Sequence, residues 1–213
     1  GKKVKVIIPA RGGSKRIPNK NIKELNGKPL ISYAIETSLS VTDDVFVSTD
    51  SIEIADVAER YGAFVVKRPS HLATDVSRTE DSIEHFLDIV DGVNEFACVQ
   101  ATTPLLTGED LKSGFDTLRE HDYDSVISVV ERAEYLWDHT NKPINFMRYG
   151  RPRTQKLSKT FSENGAFYVT TKKSFEKNKC LYDGSVGFVV MSELSSLEID
   201  TEEDWNLVSK CMS

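Results

Sequence analysis

Between Val4 and Val130, short β-branched runs alternate with segments of helical period, and a polar loop succeeds each run. Few folds accept that pattern. Successive parallel strands need right-handed crossovers, and crossovers repeated along the chain place helices on both faces of a mostly parallel sheet. VKVIIP, ending at Pro9, is the first strand, and Leu30, Ile31, Ala34 and Ile35 then mark a helix face with Pro29 near its start. DVFVST ends at Thr49, where Asp50 and Ser51 can cap a helix over 52–61 that Gly62 stops. AFVVK near Val65, FACVQ ending at Gln100 and DSVISVV from Asp124 continue the series, with helices predicted over 82–90 and 109–120. The expectation is an α/β fold with a three-layer, mostly parallel sheet, whose ligands bind outside the carboxyl ends of the strands. The loops at 10–21, 67–79 and 100–108 should therefore converge on one site.

The alternation stops after Glu131. Residues 132–162 hold Trp137, Pro143, Phe146, Tyr149 and the basic residues Arg148, Arg151, Arg153 and Lys156, in no βα pattern. They are read as an inserted hairpin or arm and as an oligomer contact. GAFYVTT and GFVVM return to strand, and TEEDWNLVSKCM carries the acids expected in a helix's first turn. With 39% apolar and 28% charged residues, 12 Gly and 7 Pro, the composition is that of an ordinary globular chain, and residues 1–213 read as one domain. Cys98, Cys180 and Cys211 are odd in number and show no CxxC spacing, which fits a reducing, cytoplasmic compartment. The apolar run between Lys5 and Arg11 is too short for a signal-peptide core or a membrane span, so no membrane partner is expected.

A formal net charge of −6 argues against a surface built for nucleic acid, but it conceals an asymmetry. Nine Lys and Arg against the single acid Glu24 give residues 1–30 a charge of +8, leaving −14 on the rest. An anion is drawn to the first loop. That loop, ARGGSKRIPNKN over 10–21, joins glycines that let backbone amides approach a ligand to Arg11, Lys15, Arg16 and Lys20, the parts needed to hold a polyphosphate. It has neither the GK[ST] tail of a Walker A loop nor a GxGxxG spacing. The four histidines share no metal spacing, and without a GxSxG elbow a hydrolase triad has little support. On residues alone, the acids from Asp200 to Asp204 serve a helix N-terminus equally well, Arg148 to Arg153 an exposed basic face, and Gln100 an ordinary loop.

The full string narrows these alternatives. IIPARGGSKRIPNKN with GKPLISYAI after it resembles the opening of the cytidylyltransferases that activate nonulosonic acids, the N-acylneuraminate cytidylyltransferase family with its legionaminate and pseudaminate relatives. VSTD (47–50), RPSHLATDVSRTED (68–81), VQATTPL (99–105), RPRTQ (151–155), ENGAFY (163–168) and LEIDTEEDW (197–205) come in the family's order, so the resemblance covers nearly the whole chain. It implies a Rossmann-like nucleotidyltransferase fold and CTP as co-substrate. Arg11, Gly12, Lys15, Lys20 and Asn21 match positions that hold CTP, and Arg68, Ser77 and Thr79 those that reach its base and ribose. Gln100, Gln155 and Tyr168 match sugar-binding positions, and Arg153, Lys20 and Asp200 match catalytic ones. Asp200 matches the Mg²⁺-binding aspartate, with Glu198 where the family often has a second aspartate. The chain departs from the family at Ala101 to Pro104, ATTP in place of PTSP. The resemblance further implies a nine-carbon sugar acid as substrate and a homodimer in which the 132–162 arm reaches the partner's site. Two rivals stand beside it: a cytidylyltransferase for 3-deoxy-manno-octulosonate, whose family carries an acidic GDEP-type motif where this chain has QATTP, and a nucleotide-binding module without turnover.

Overall fold

A computed structural model describes residues 3–213. In chain order the elements are β1 (Lys5–Pro9), β2 (Glu24–Leu25), β3 (Lys28–Pro29), α1 (Leu30–Leu39), β4 (Val45–Thr49), α2 (Ile52–Arg60), β5 (Phe64–Lys67), α3 (Thr79–Ile89), β6 (Glu95–Val99), α4 (Gly108–Glu120), β7 (Ser125–Arg132), β8 (Thr160–Thr171), α5 (Lys172–Asn178), β9 (Val186–Val190) and α6 (Glu202–Cys211), with short 3₁₀ turns between them. Among the described residues, one sheet runs in the order β5-β4-β1-β6-β8-β7-β9. Its neighbours are parallel except at β8, which runs antiparallel to both β6 and β7. The mostly parallel three-layer α/β fold expected from the periodicity is the fold observed.

The layers arise from the alternation of side chains along each strand. Val6 and Ile8 of β1 join Val45, Val47, Ala97, Val99 and the inward faces of α1, α2 and α4 in one core. Ile7 points the other way, into a second core with Phe96, Cys98, Phe86 of α3 and Phe175 of α5. A third, smaller cluster ties Ile17 of the first loop and Leu25 to Ile199, Trp205 and Val208. No helix among the described residues is long and apolar enough to cross a membrane.

Several boundaries differ from the sequence expectation. Asp50 does not cap α2; Ser51 does, its Oγ accepting the Ile54 N–H at 3.2 Å. Helix α3 begins at Thr79, ahead of the predicted Ser82, because Asp81 reaches back to accept the Arg78 N–H and closes the first turn early. Strand β8 begins at Thr160, ahead of the predicted GAFYVTT, because β7 extends far enough to pair Arg132 with Thr160 across a bulge. Two elements lie outside the sequence expectation: the β2–β3 hairpin, which turns on Asn26 and Gly27, both with positive φ, and α5, capped by Thr171.

Candidate active site

Strand β1 lies between β4 and β6, so the chain builds outward to β5 and then returns to the opposite side of β1. At such a reversal the loops that leave the strand ends diverge and open a crevice. Two clefts lie there. One, about 690 Å³, is lined by Arg11, Gly12, Gly13, Asn19, Asp50 and Asp75 among others. The other, about 160 Å³, is lined by Arg68, Ser77, Thr79 and Gln100, with Arg11 bordering both. Three loops remote in sequence, after β1, β5 and β6, thus meet around one arginine.

Each wall has a physical cause. Arg68 comes just after β5 and is only 5% exposed. Its Nε donates to Ser48 Oγ at 3.1 Å and an Nη to the Ser48 carbonyl at 3.0 Å, so the guanidinium plane is fixed from the end of β4. Burial lowers its pKa, against the opposing pull of Asp50. Within the first loop, Gly12 N–H donates to Asp50 Oδ1 at 2.9 Å, and the Asn21 amide donates to the Arg11 carbonyl at 3.3 Å. Arg11 and Lys15 both pair with Asp75, at 2.8 and 2.6 Å. Gln100 comes just after β6, which ends at Val99; its N–H donates to Ala166 O at 3.0 Å, which sets it beside β8 and Tyr168. Burial, with Glu163 nearby, raises the Tyr168 pKa, so this phenol stays protonated.

The third hydrophobic cluster explains how the chain's last carboxylates reach the first loop. Ile17 and Ile199 are both fully buried in it, and their neighbours Lys20 and Asp200 come within 3.6 Å. The Ile199 N–H also donates to Thr102 O at 2.8 Å, so the ATTP loop clips this segment in place. Asp204 is spoken for: its carboxylate accepts the N–H groups of Asp200 and Thr201 at 2.9 and 3.0 Å, which holds its pKa low. Glu198 is not. Partial burial, with Asp200 and Asp204 close by, pushes its carboxyl above the usual range, against the attraction of Lys20. It rests on the backbone of β8, where a Cβ added at Gly165 would meet Glu198 Oε1 at 3.4 Å. No group of three or more His, Cys, Asp or Glu among the described residues could hold a metal ion by itself.

A buried polar network that sequence reasoning missed underlies this seat. Asn164 is 3% exposed. Its Oδ1 accepts from Ser128 Oγ and the Ala166 N–H at 2.6 and 3.1 Å, while its Nδ2 donates to Ser196 Oγ at 2.9 Å. It therefore joins β7, the bulge of β8 and the segment that leads to Glu198. The ENGAFY string names the residue, but nothing in the sequence says that its amide is buried.

Arg153 and Gln155 stand apart. Both are exposed, on the segment between β7 and β8, and neither lines the two clefts. That segment is a hairpin-like excursion braced by aromatic packing, with Tyr135 and Trp137 centred 5.2 and 5.3 Å from Phe146 and Arg151 stacked 3.6 Å over Tyr135. The structure gathers Arg11, Gly12, Lys15, Lys20, Asn21, Arg68, Ser77, Thr79, Gln100 and Asp200, with Tyr168 and Glu198 on the adjoining part of β8 and its neighbour.

N-acylneuraminate cytidylyltransferase A of Danio rerio is 37% identical over 211 residues, 95% of this chain and 49% of that protein. Pseudaminic acid cytidylyltransferase of Campylobacter jejuni is 33% identical over 213 residues, covering 93% of this chain and 91% of that one. The chain spans about half the length of several of the relatives it matches. Among solved structures, a CMP:2-keto-3-deoxy-manno-octonic acid synthetase complexed with CTP superposes with a TM-score of 0.75 at 18% identity, over 99% of this chain and 98% of that one. A 4-diphosphocytidyl-2C-methyl-D-erythritol synthase from Anaerococcus prevotii gives 0.70 at 17%, with the same coverage. Both support the nucleotidyltransferase fold. Residues 5–198 match the family model described as cytidylyltransferase, and the chain belongs to that family.

Proposed function

We propose that this chain transfers the cytidylyl group of CTP to a nonulosonic acid, releasing pyrophosphate. One observation carries the reading: Arg11 borders both the glycine-rich cationic cleft and the cleft of Arg68, Ser77, Thr79 and Gln100, so a triphosphate in the first and a base and ribose in the second form one continuous ligand. In the reaction the anomeric hydroxyl oxygen bonds to the α-phosphorus, the bond from that phosphorus to the bridging oxygen breaks, and the hydroxyl proton is released as pyrophosphate departs. Arg11, Lys15 and Lys20 hold the phosphate oxygens and offset charge that moves onto the leaving group. The anomeric hydroxyl is more acidic than an ordinary alcohol, so orientation of the two substrates contributes more than a strong base.

The carboxylates fit a divalent ion of the Mg²⁺ type. Asp200 and Glu198 offer the hard oxygen donors that such an ion takes. Bound there with substrate phosphates, Mg²⁺ supplies charge neutralisation and alignment of the triphosphate. Lys20 beside Asp200 keeps that carboxylate directed toward the first loop.

The sugar acid's own carboxylate needs a planar cation, which suits Arg153. Because Arg153 is exposed on the excursion and lines neither cleft, its part is assigned to a homodimer in which each excursion serves the partner's site. Exposed Ile144, Met147 and Tyr149, at 62%, 77% and 89%, give it an apolar surface to bury. Free cysteines and a site built for nucleotide and sugar acid accord with a cytoplasmic enzyme.

The deciding experiment is pyrophosphate release. It is expected only with CTP, a divalent ion and a nonulosonic acid all present. Turnover with 3-deoxy-manno-octulosonate alone would move the substrate to that class, and CTP binding with no turnover across a panel of such sugars would leave a binding module. Arg153→Ala should lower kcat/KM for the sugar acid by about thirtyfold or more, the value of a lost charged hydrogen bond, and leave the Kd for CTP within about twofold. Equal losses in both would remove Arg153 from the sugar.

A further inference from the structure

The cleft beside the glycine-rich loop is already engaged by carboxylates of this chain. Arg11 Nη1 lies 2.8 Å from Asp75 Oδ1 and Lys15 Nζ 2.6 Å from Asp75 Oδ2, so one carboxylate uses both its oxygens on two cations of the loop. Those two contacts hold the Asp75 pKa below its ordinary value. We propose that Asp75 is an internal anion that occupies the phosphate-binding cations in the nucleotide-free protein and must be displaced when a triphosphate enters. The proposal rests on the reading of Arg11 and Lys15 as phosphate ligands.

Two features separate Asp75 from an ordinary surface ion pair. The first is where it sits. Asp75 is at the tip of the β5–α3 connection, in a small turn that Ser77 closes: the Thr74 N–H donates to Ser77 Oγ at 3.0 Å, and the Ser77 N–H to Thr74 O at 3.1 Å. The neighbouring Val76 is 89% exposed, so the tip stands in solvent and is not packed against the core. Asp50, whose Oδ1 takes the Gly12 N–H, is by contrast fixed between β4 and α2. Displacement is therefore open to Asp75 and closed to Asp50. The second is the consequence of displacement. The same connection carries Ser77 and reaches Thr79, both lining the smaller cleft. Release of the Asp75 contacts frees this wall to close on the base and ribose, so arrival of the phosphates and closure over the nucleoside become one event.

A carboxylate presents two oxygens to a cation pair much as a phosphate does, but carries less charge. It can therefore keep Arg11 and Lys15 ordered and partly neutralised while yielding to a polyphosphate. The cost appears as weaker binding of CTP than the bare loop would give.

The test is titration of CTP in the absence of sugar acid, by calorimetry at low and moderate salt. Asp75→Asn keeps the shape and removes the charge. It is expected to bind CTP about three- to tenfold more tightly, the size of two partly exposed ion pairs, with the gain shrinking as salt rises. Amide exchange over 73–77 should be faster in nucleotide-free Asp75→Asn than in the nucleotide-free parent, and faster in the parent once inorganic tripolyphosphate is added. Unchanged or weaker CTP binding by Asp75→Asn would overturn the proposal. Lys15→Ala distinguishes the underlying reading: it should weaken CTP binding if the loop holds phosphates. If it has no effect, the reading of the loop fails and the proposal fails with it; if it weakens binding while Asp75→Asn gains nothing, only the proposal fails.

Discussion

Asp200→Ala is expected to lower turnover by about a thousandfold, the size of a lost transition-state electrostatic contact, while the protein stays folded and still binds CTP through its loops. The Asp200 side chain is 50% exposed, and its nearest charge partner, Lys20, is 3.6 Å away, so the fold loses little. Steady-state pyrophosphate release, read beside Mn²⁺ binding by electron paramagnetic resonance, checks both halves: turnover and ion affinity should fall together. Asp204→Asn is the matched control. Its carboxylate is occupied by the Asp200 and Thr201 N–H groups, so that change should cost about 1 kcal/mol of stability as a weakened helix cap rather than a loss of ion affinity. If Asp200→Ala kept both ion affinity and turnover, the carboxylate would not be a metal ligand.

Gly114→Val should be the most damaging single change in the core. Gly114 is buried in α4, and a Cβ there would stand 2.7 Å from Phe167 Cε2 and 3.0 Å from Val169 Cγ2, two side chains with no exposed surface. Neither can retreat, because Phe167 and Val169 are pinned in β8 between β6 and β7. The expected cost is about 3 kcal/mol or more, since the two γ-methyls add to a contact already too short, and Tm should fall by roughly 10 °C for a chain of this size. Thermal unfolding monitored by circular dichroism measures it; an unchanged Tm would mean that α4 can slide on the sheet.

The fold is legible in the sequence wherever side-chain period and strand-end chemistry agree. β1, β4, β6 and β7 are continuous buried runs, and the loops after β1, β5 and β6 lie where the carboxyl-end rule puts them. β8 is harder. Its first half reads Phe161, Ser162, Glu163, with exposed side chains, so no apolar alternation marks it, and only pairing with β7 makes it a strand. Its antiparallel direction is likewise a property of its neighbours. The β2–β3 hairpin does carry a local signal: Asn26-Gly27 supplies the two positive φ angles of a tight turn. Within the site, the first-loop cations are picked out by residue type and position, whereas Arg68 is picked out only by the family resemblance. The roles of Asp75 and Asn164 are not legible there, because a carboxylate in a loop and an amide in a strand acquire meaning only from partners distant in sequence.

Because β8 runs opposite to β7, the chain between them needs no crossover, and its two ends are held side by side where Arg132 pairs with Thr160. Residues 133–159 therefore form a cassette. Both ends are fixed by the sheet itself, and the closure entropy of such a loop grows only slowly with length. None of its residues lines either of the two clefts, so its sequence and size can change without altering their walls.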